Sequence, residues 1–306
     1  MNNLILHQKM MDKVLYALVP IMLFSIFLFG WRVLSIILIS NTFAFITEYM
    51  FIRKKKFGKI TTSALVTGSL LALTLPPTIP IWITAVGSIV AVCFGKMVFG
   101  GFGMNVFNPA IVGRTFIYIS FPNAMTTQWL QPFTKFPGGF TTWQNSDLIT
   151  TATPMIEFNN AAKFTELPQL FLGTIAGSMG ETSALIIILA GIYLIITKIA
   201  KWQPILSVLV SFTLFTLLFY RTNPLPFLLS GGLMFGAVFM ITDPVSMPKN
   251  KTAIWIYGIL VGFLTIFIRK FSLFTEGFMF ALLLGNTFMP IIEFGLNQAK
   301  ATVNGK

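Results

Sequence analysis

Asp147-Leu148-Ile149-Thr150-Thr151-Ala152-Thr153-Pro154-Met155 lies in the long polar interval between two very hydrophobic halves of the chain. Apolar runs dominate from about Val14 to Phe121 before it and from about Leu170 to Phe294 after it. A hydroxyl-rich segment with an acid and a proline cannot enter hydrocarbon, where its backbone groups would lack partners. It belongs in water or at the membrane edge. The chain therefore divides into an N-terminal half (1–121), a loop (122–168) and a C-terminal half (169–306).

Outside that loop the composition is that of a membrane protein. Of 306 residues 55% are hydrophobic, 10% are charged and 33 are Phe, far from the balance of a soluble domain. A bilayer span takes roughly 20 apolar residues, which gives about ten segments with soft ends. The first five are Val14 to Phe29, Val33 to Ile52, Thr62 to Leu75, Ile79 to Val98 and Met104 to Phe121. The second five are Leu170 to Ile199, Ile205 to Tyr220, Phe227 to Ile241, Ile254 to Ile268 and Phe278 to Phe294. The sixth is too long for one helix, and Gly173, Gly177 and Gly180 predict a short broken piece before the span proper. The run after Met1 to Lys13 lacks a small-residue cleavage site and reads as a retained span. The expected fold is an all-α polytopic membrane protein.

Cations set its orientation. With the N-terminus in the cytoplasm, 14 Lys and Arg fall inside, Lys96 among them, and 6 outside, including Arg32, Lys135, Lys163 and Arg269. Both termini are then cytoplasmic and residues 122–168 face outward. An odd number of spans per half makes the second five-helix half an inverted repeat of the first. A faint echo joins Gly100-Gly101, Val106-Phe107 and Asn108-Pro109 to Gly231-Gly232, Val238-Phe239 and Asp243-Pro244. If it is real, the two interrupted segments face each other near a shared site. The net charge of +12 follows from this topology and does not point to nucleic acid. Cys93 and His7 are the only cysteine and histidine, so the chain alone holds neither an iron–sulfur cluster nor haem in the usual way.

Four features carry chemistry. The glycines of Phe99 to Ala110 permit close approach of backbone or a ligand ring, or serve helix packing. Asn105 and Asn108 add amide donors and acceptors at a membrane border and favour a ligand or ion site. Arg114 sits within an apolar run and needs an acid, a carbonyl or a polar ligand, unless it snorkels to an interface. Asp243, in Thr242-Asp243-Pro244, caps a helix start and is a candidate for a cation or proton path; Glu48 is either an interfacial acid beside Arg53 or part of the same path. The loop threonines are a solvated turn or a modification site. Threonine is a weak nucleophile, so modification requires an activating enzyme. Phe140, Trp143 and Phe158 are aromatic neighbours able to stack on a planar ring.

Three stretches combine: Gly-Gly-x-Gly-x-Asn-x-x-Asn-Pro-Ala-x-x-Gly-Arg from Gly100 to Arg114, Thr-Asp-Pro-Val-Ser from Thr242 to Ser246, and Asp-x-x-Thr-Thr-Ala-Thr-Pro from Asp147 to Pro154. Together they resemble the RnfD/NqrB family, which contains membrane subunits of the Rnf ion-translocating electron transport complex and of the sodium-pumping NADH:quinone reductase. The likeness spans Val14 to about Phe294. It implies FMN joined through its phosphate to Thr153 by an extracytoplasmic flavin transferase, with Asp147, Thr150, Thr151 and Ala152 as recognition context. Thr151 stands where many members have glycine. It also implies a non-covalent riboflavin, partner subunits bearing flavin and iron–sulfur centres, and a bacterial inner-membrane location with lipid around the spans. Gly100 and Gly101 match glycines near the quinone site of the reductase branch. The chain begins almost directly at its first span, without that branch's longer N-terminal extension, so the RnfD branch is the closer match.

The resulting expectation is a subunit, not catalytic alone, of an ion-translocating ferredoxin:NAD oxidoreductase moving sodium ions or protons. The alternatives are an NqrB-like subunit of a quinone reductase and a flavin-free transporter or channel.

Overall fold

The computed structural model describes residues 5–53, 59–144, 148–149, 165–272, 274 and 277–303. The helices are α1 (Lys9–Phe29), α2 (Arg32–Ile52), α3 (Thr62–Leu73), α4 (Ile81–Val92), α5 (Pro109–Ser120) and α6 (Pro122–Thr126). After the loop come α7 (Leu167–Leu172), α8 (Ala184–Ile196), α9 (Trp202–Tyr220), α10 (Leu225–Leu229), α11 (Leu233–Phe239), α12 (Lys251–Phe271) and α13 (Phe278–Val303). Two short pairings complete it: parallel β1 (Ile5–Leu6) with β2 (Ile60–Thr61), and antiparallel β3 (Trp129–Leu130) with β4 (Leu148–Ile149).

Among the described residues five helices are long and apolar enough to cross a membrane: α1, α2, α9, α12 and most of α13. The chain is a multi-pass all-α membrane protein. Twelve-residue α3 rises only about 18 Å, short of a hydrocarbon core of roughly 30 Å. It is tolerated because nearly every residue in it is buried inside the bundle, where other protein groups serve its ends. Seven-residue α11 occupies the corresponding place in the second half and is equally enclosed.

Neighbour relations recur between the halves. Helix α2 packs on α3 and α4 as α9 packs on α11 and α12, and α4 packs on α5 as α12 packs on α13. The halves then meet through equivalent helices, α1 against α8 and α5 against α13, as a pseudo-twofold arrangement requires. A sequence register follows the same equivalence. Leu73-Thr74-Leu75-Pro76-Pro77-Thr78-Ile79-Pro80 matches Ile241-Thr242-Asp243-Pro244-Val245-Ser246-Met247-Pro248. Ile81-Trp82-Ile83-Thr84 matches Ile254-Trp255-Ile256-Tyr257, and Gly113-Arg114-Thr115-Phe116 matches Gly285-Asn286-Thr287-Phe288.

This register corrects the echo read between Gly100–Pro109 and Gly231–Pro244. The first of those stretches leads into α5, whereas the second runs through α11 toward α12, so they are not copies of each other. The sequence repeat is carried by Trp82 and Trp255 and their flanks instead.

Small residues let equivalent helices touch. A Cβ on Gly262 would lie 1.9 Å from Ser211 Oγ, and one on Gly258 2.5 Å from Ser207 Cβ. Ser207 Oγ also donates to Trp255 O at 2.7 Å across α9 and α12. In the first half Ser40 Oγ donates to Gly68 O at 2.7 Å and meets Ser88 Oγ at 2.9 Å. With no hydrophobic drive between helices in lipid, such close backbone contact and hydrogen bonding hold them together.

The sixth apolar run breaks as expected into α7 and α8. The fifth starts later than expected, at Pro109 and not Met104. Gly100, Gly101 and Gly103 all adopt positive φ, and Asn108 caps the helix by accepting from the N–H groups of Ala110 and Ile111.

Gly262→Leu should destabilise the purified protein by roughly 1–3 kcal/mol by forcing α9 off α12. Gly295→Leu, where an added Cβ meets nothing within 4 Å, should leave the unfolding midpoint unchanged in the same thermal melt.

Candidate functional site

A cavity of about 60 Å³ opens where the two interrupted segments converge, lined among others by Ser63, Thr67, Asn105, Asn108, Thr242 and Asp243. It has room for a few waters or one cation with part of its shell. Asp243, in the linker after α11, is half-buried. Its Oδ1 accepts from Val245 N at 3.1 Å and its Oδ2 from Ser246 Oγ at 3.1 Å, and the Asn105 side chain also bonds it. These bonds close a turn at residues 243–246 and not a helix start, since the next helix begins at Lys251 under an Asn250 cap, so the expected helix cap at Asp243 is not found; the residue lines the cavity.

Asn105 also donates to Phe107 O at 3.1 Å, while Asn108 is occupied as the α5 cap. The glycines do not line this cavity. Gly100 and Gly101 turn the chain after a π-turn at Cys93–Met97, and a Cβ on either would meet only Met104 or Met97 side-chain atoms. Neither of the two sequence explanations, ligand approach or helix packing, accounts for their space; the left-handed backbone does.

Beside the cavity lies a buried cation that charge counting assigns to the cytoplasmic surface. Lys96, on the π-turn, is 1% exposed, and its Nζ donates to Glu48 Oε2 at 2.7 Å, Thr61 Oγ1 at 2.8 Å and Ser63 Oγ at 3.0 Å. Glu48 Oε1 in turn accepts from the N–H and hydroxyl of Thr61 at 3.1 and 2.8 Å. Glu48 is thus a buried partner of Lys96, not an interfacial acid beside Arg53. The signal in the sequence is a lone Lys in the apolar run Val92-Cys93-Phe94-Gly95-Lys96-Met97-Val98, which can stay there only if paired. Arg269, counted as an outer cation, is buried as well, donating to Phe227 O at 3.0 Å and Ser230 O at 3.3 Å over the Phe212 ring. Setting both aside leaves the balance of surface charge pointing the same way.

Arg114 does not reach the cavity. Its guanidinium grips the Glu181 carboxylate with two hydrogen bonds, that from Nη2 at 3.1 Å, joining α5 of the first half to the start of the second. Gly232 leaves room for the pair, since a Cβ there would lie 2.5 Å from Glu181 Oε1. Of the sequence alternatives, the acid is the partner found.

The described flank of the loop between the halves is tied down from several sides. Trp31 N donates to Thr142 O at 3.2 Å, Arg32 N to Trp143 O at 2.9 Å, and Trp31 Nε1 to Phe140 O at 2.8 Å. The Arg32 guanidinium donates to Gln144 Oε1, Thr78 O and Ile79 O at 2.6, 3.0 and 2.8 Å. Strand β4, directly after Asp147, thereby sits with β3 at the end of α1 that carries Gly30. The cavity contacts α1 through Met11 and Val14, roughly 25 Å away along the helix. Asp147, Thr150, Thr151, Ala152 and Thr153 themselves lie outside the described residues, as does Phe158. Among the described residues of this end of the molecule the rings of Trp31, Phe136, Phe140 and Trp143 are exposed.

A second cavity of about 490 Å³ lies between α1 and α8, lined by Tyr16, Ala17, Pro20, Ile186, Leu189, Ala190 and Tyr193. Ligand pockets run about 300–1,000 Å³, so the polar cavity is too small for riboflavin. The apolar one offers only two hydroxyls to a ring system with many donors and acceptors. The non-covalent flavin fits neither of these two.

Known proteins place this geometry in context. The chain is 35% identical over 304 residues to the D component of the proton-translocating ferredoxin:NAD(+) oxidoreductase complex of Clostridium ljungdahlii, covering 93% of this chain and 88% of that one. It is 34% identical over 291 residues to the D component of the Na(+)-translocating ferredoxin:NAD(+) oxidoreductase complex of Acetobacterium woodii, covering 93% and 87%. Against the B component of the Na(+)-translocating NADH-quinone reductase of Ectopseudomonas mendocina it is 39% identical over 254 residues, covering 76% and 59%. With residues 2–301 matched by its family model, the chain belongs to the NQR2, RnfD, RnfE family.

Proposed function

We propose that this chain is the RnfD-type membrane subunit of an Rnf-type ferredoxin:NAD oxidoreductase, carrying electrons through FMN attached at Thr153 and coupling them to movement of Na+ or H+. The observation that carries the reading is the separation of two sites along α1. The flanks of the attachment motif are pinned at one end, and Asp243 with its cavity lies at the other. In this reading the loop faces the extracytoplasmic side of a bacterial inner membrane, within reach of a flavin transferase. The termini and the cavity face the cytoplasm, and flavin and iron–sulfur partner subunits supply and remove electrons.

The isoalloxazine supplies the electron chemistry when bound, and this chain's residues position it. Trp143 and Phe140 offer ring faces, and Arg32 and Lys135 offset the phosphodiester charge. At the other end Asp243, oriented by Val245 N and Ser246 and tied to Asn105, holds a carboxylate at the wall of a small cavity large enough for a cation or a few waters. The relatives do not settle which ion, since near-equal identities join this chain to one protein named proton-translocating and another named Na(+)-translocating.

Co-expressed with a competent transferase, the chain should retain flavin fluorescence through denaturing electrophoresis, and Thr153→Ala should abolish it; fluorescence unchanged in the variant puts the flavin on another residue. In the assembled complex Asp243→Asn should stop ion uptake into vesicles while reduction of NAD by ferredoxin continues at a slower rate. Unaltered ion uptake would remove Asp243 from the path.

A further inference from the structure

The charges beside the cavity do not balance. Among the described residues two carboxylates, Glu48 from α2 and Asp243 from the α11–α12 linker, face one ammonium, Lys96. With both acids ionised the cluster is short by one positive charge, which either a proton on Asp243 or one monovalent cation in the cavity supplies. Lys96 already satisfies all three of its donors, on Glu48, Thr61 and Ser63. Ser63 is also a wall of the cavity that holds Asp243, and so is Phe102, whose ring centroid is 5.9 Å from Nζ. The Ser63 hydroxyl and the Phe102 ring therefore stand in the wall between the tethered ammonium and the Asp243 carboxylate, which Val245 N, Ser246 and Asn105 hold in place.

The repeat shows that this arrangement goes beyond what the fold requires. Lys96 follows Trp82 by fourteen residues and Arg269 follows Trp255 by fourteen, so the two buried cations are equivalent. Arg269 is a fixed planar fork on two carbonyl oxygens and a ring. By the pseudo-twofold, the residue that stands to Arg269 as Asp243 stands to Lys96 is Leu75. A buried cation at this position thus needs no such carboxylate. Where the carboxylate is present, the cation is a compact ammonium on a flexible four-carbon stem, paired with a second acid.

We propose that Lys96 is a tethered competitor of the translocated cation for Asp243, and that Glu48 is the residue that holds it back. This rests on the cavity being the cation site. When a cation occupies the cavity, Lys96 stays on Glu48. When the cavity is vacated, the ammonium moves past Ser63 and the Phe102 face toward Asp243 and neutralises it, so that the carboxylate is never left without a counter-charge and a departed ion is not readily recaptured. No bond is made or broken in this exchange.

The two partners must then have opposite effects on sodium, as their charges alone already require; what marks the movement is its dependence on a compact, flexible ammonium, read in Lys96→Arg. Sodium chloride, titrated against choline chloride at constant ionic strength, is the probe, read by the unfolding midpoint of the purified chain and by turnover of the complex. Lys96→Met leaves Glu48 and Asp243 both without the ammonium and should lower the half-saturating sodium by about threefold or more. Glu48→Gln frees Lys96 for Asp243 and should raise it by about as much. Lys96→Arg keeps the charge but not the compact, flexible ammonium, so it should shift the half-saturating sodium toward the Lys96→Met value, and a wild-type value there overturns the competition. Shifts of the same sign in Lys96→Met and Glu48→Gln, or none in either, overturn the competition. Midpoints measured in choline alone identify a variant that has merely lost stability. Asp243→Asn tests the underlying site by itself: a full sodium response in that variant, or none in the wild type, sinks the cavity reading whatever Lys96 does.

Discussion

Charge placed where water is absent must be matched on the spot, and this requirement shapes the whole bundle. Lys96, Arg114 and Arg269 are each almost completely enclosed, and each is met by groups from a different element of the chain. Lys96 draws α2 and the start of α3 onto α4, and Arg269 draws the segment between α10 and α11 onto α12. Arg114 holds the two halves to each other through Glu181. Leaving any of these charges buried without its partner would cost several kcal/mol, more than surface pairs contribute. The pairs say less about net stability than about uniqueness: each permits one register of neighbouring helices and penalises the rest.

The sequence made much of this visible. Length and apolarity located the helical segments, and the three glycines before Ser183 marked where the sixth run would break, because glycine and the period of hydrophobicity are local signals. Pairing is not local. Arg114 could be assigned an acid in kind but not Glu181 in particular, since the contact crosses between halves. Lys96 reads as a surface cation because a lysine near the end of an apolar run ordinarily snorkels; its confinement depends on a π-turn and on Glu48, forty-eight positions earlier in the chain. The glycine motif invites a reading in terms of space, whereas its cause is backbone conformation, which only φ reveals. The Asn108 cap is readable from Asn-Pro at a helix start.

The repeat is informative where it fails. Leu75 against Asp243 and Asn286 against Arg114 are the exchanges that give the halves different chemistry on a shared frame. Asn286, held by the Tyr257 hydroxyl, keeps a polar group at the equivalent depth without a charge. The first half thus contributes the guanidinium that joins the bundle, and the second contributes the carboxylate that faces the cavity. Leu75 leaves the first half without a counterpart of that carboxylate, so the two halves are not chemically symmetric.

The proposed function requires electrons at one end of the bundle to act on a cation at the other. With roughly 25 Å between the outer loop and the cavity, a unit charge acts on another with only about 0.7 kcal/mol at an effective dielectric of 20. That is about a threefold change in affinity, too little to drive an ion uphill. In that proposal a flavin on the loop could not govern the Asp243 cavity by its field alone. Coupling has to pass either through a redox centre closer to the cavity, supplied by a partner subunit, or through relative movement of the halves. The hinge for such movement would be where α1 meets α8 and α5 meets α13, and the Arg114–Glu181 pair stands across that same junction. A rigid pair there would oppose rocking between the halves. A partner-borne centre near the cavity, acting over a shorter distance on Asp243 and Lys96, demands no such movement and is the simpler physical arrangement.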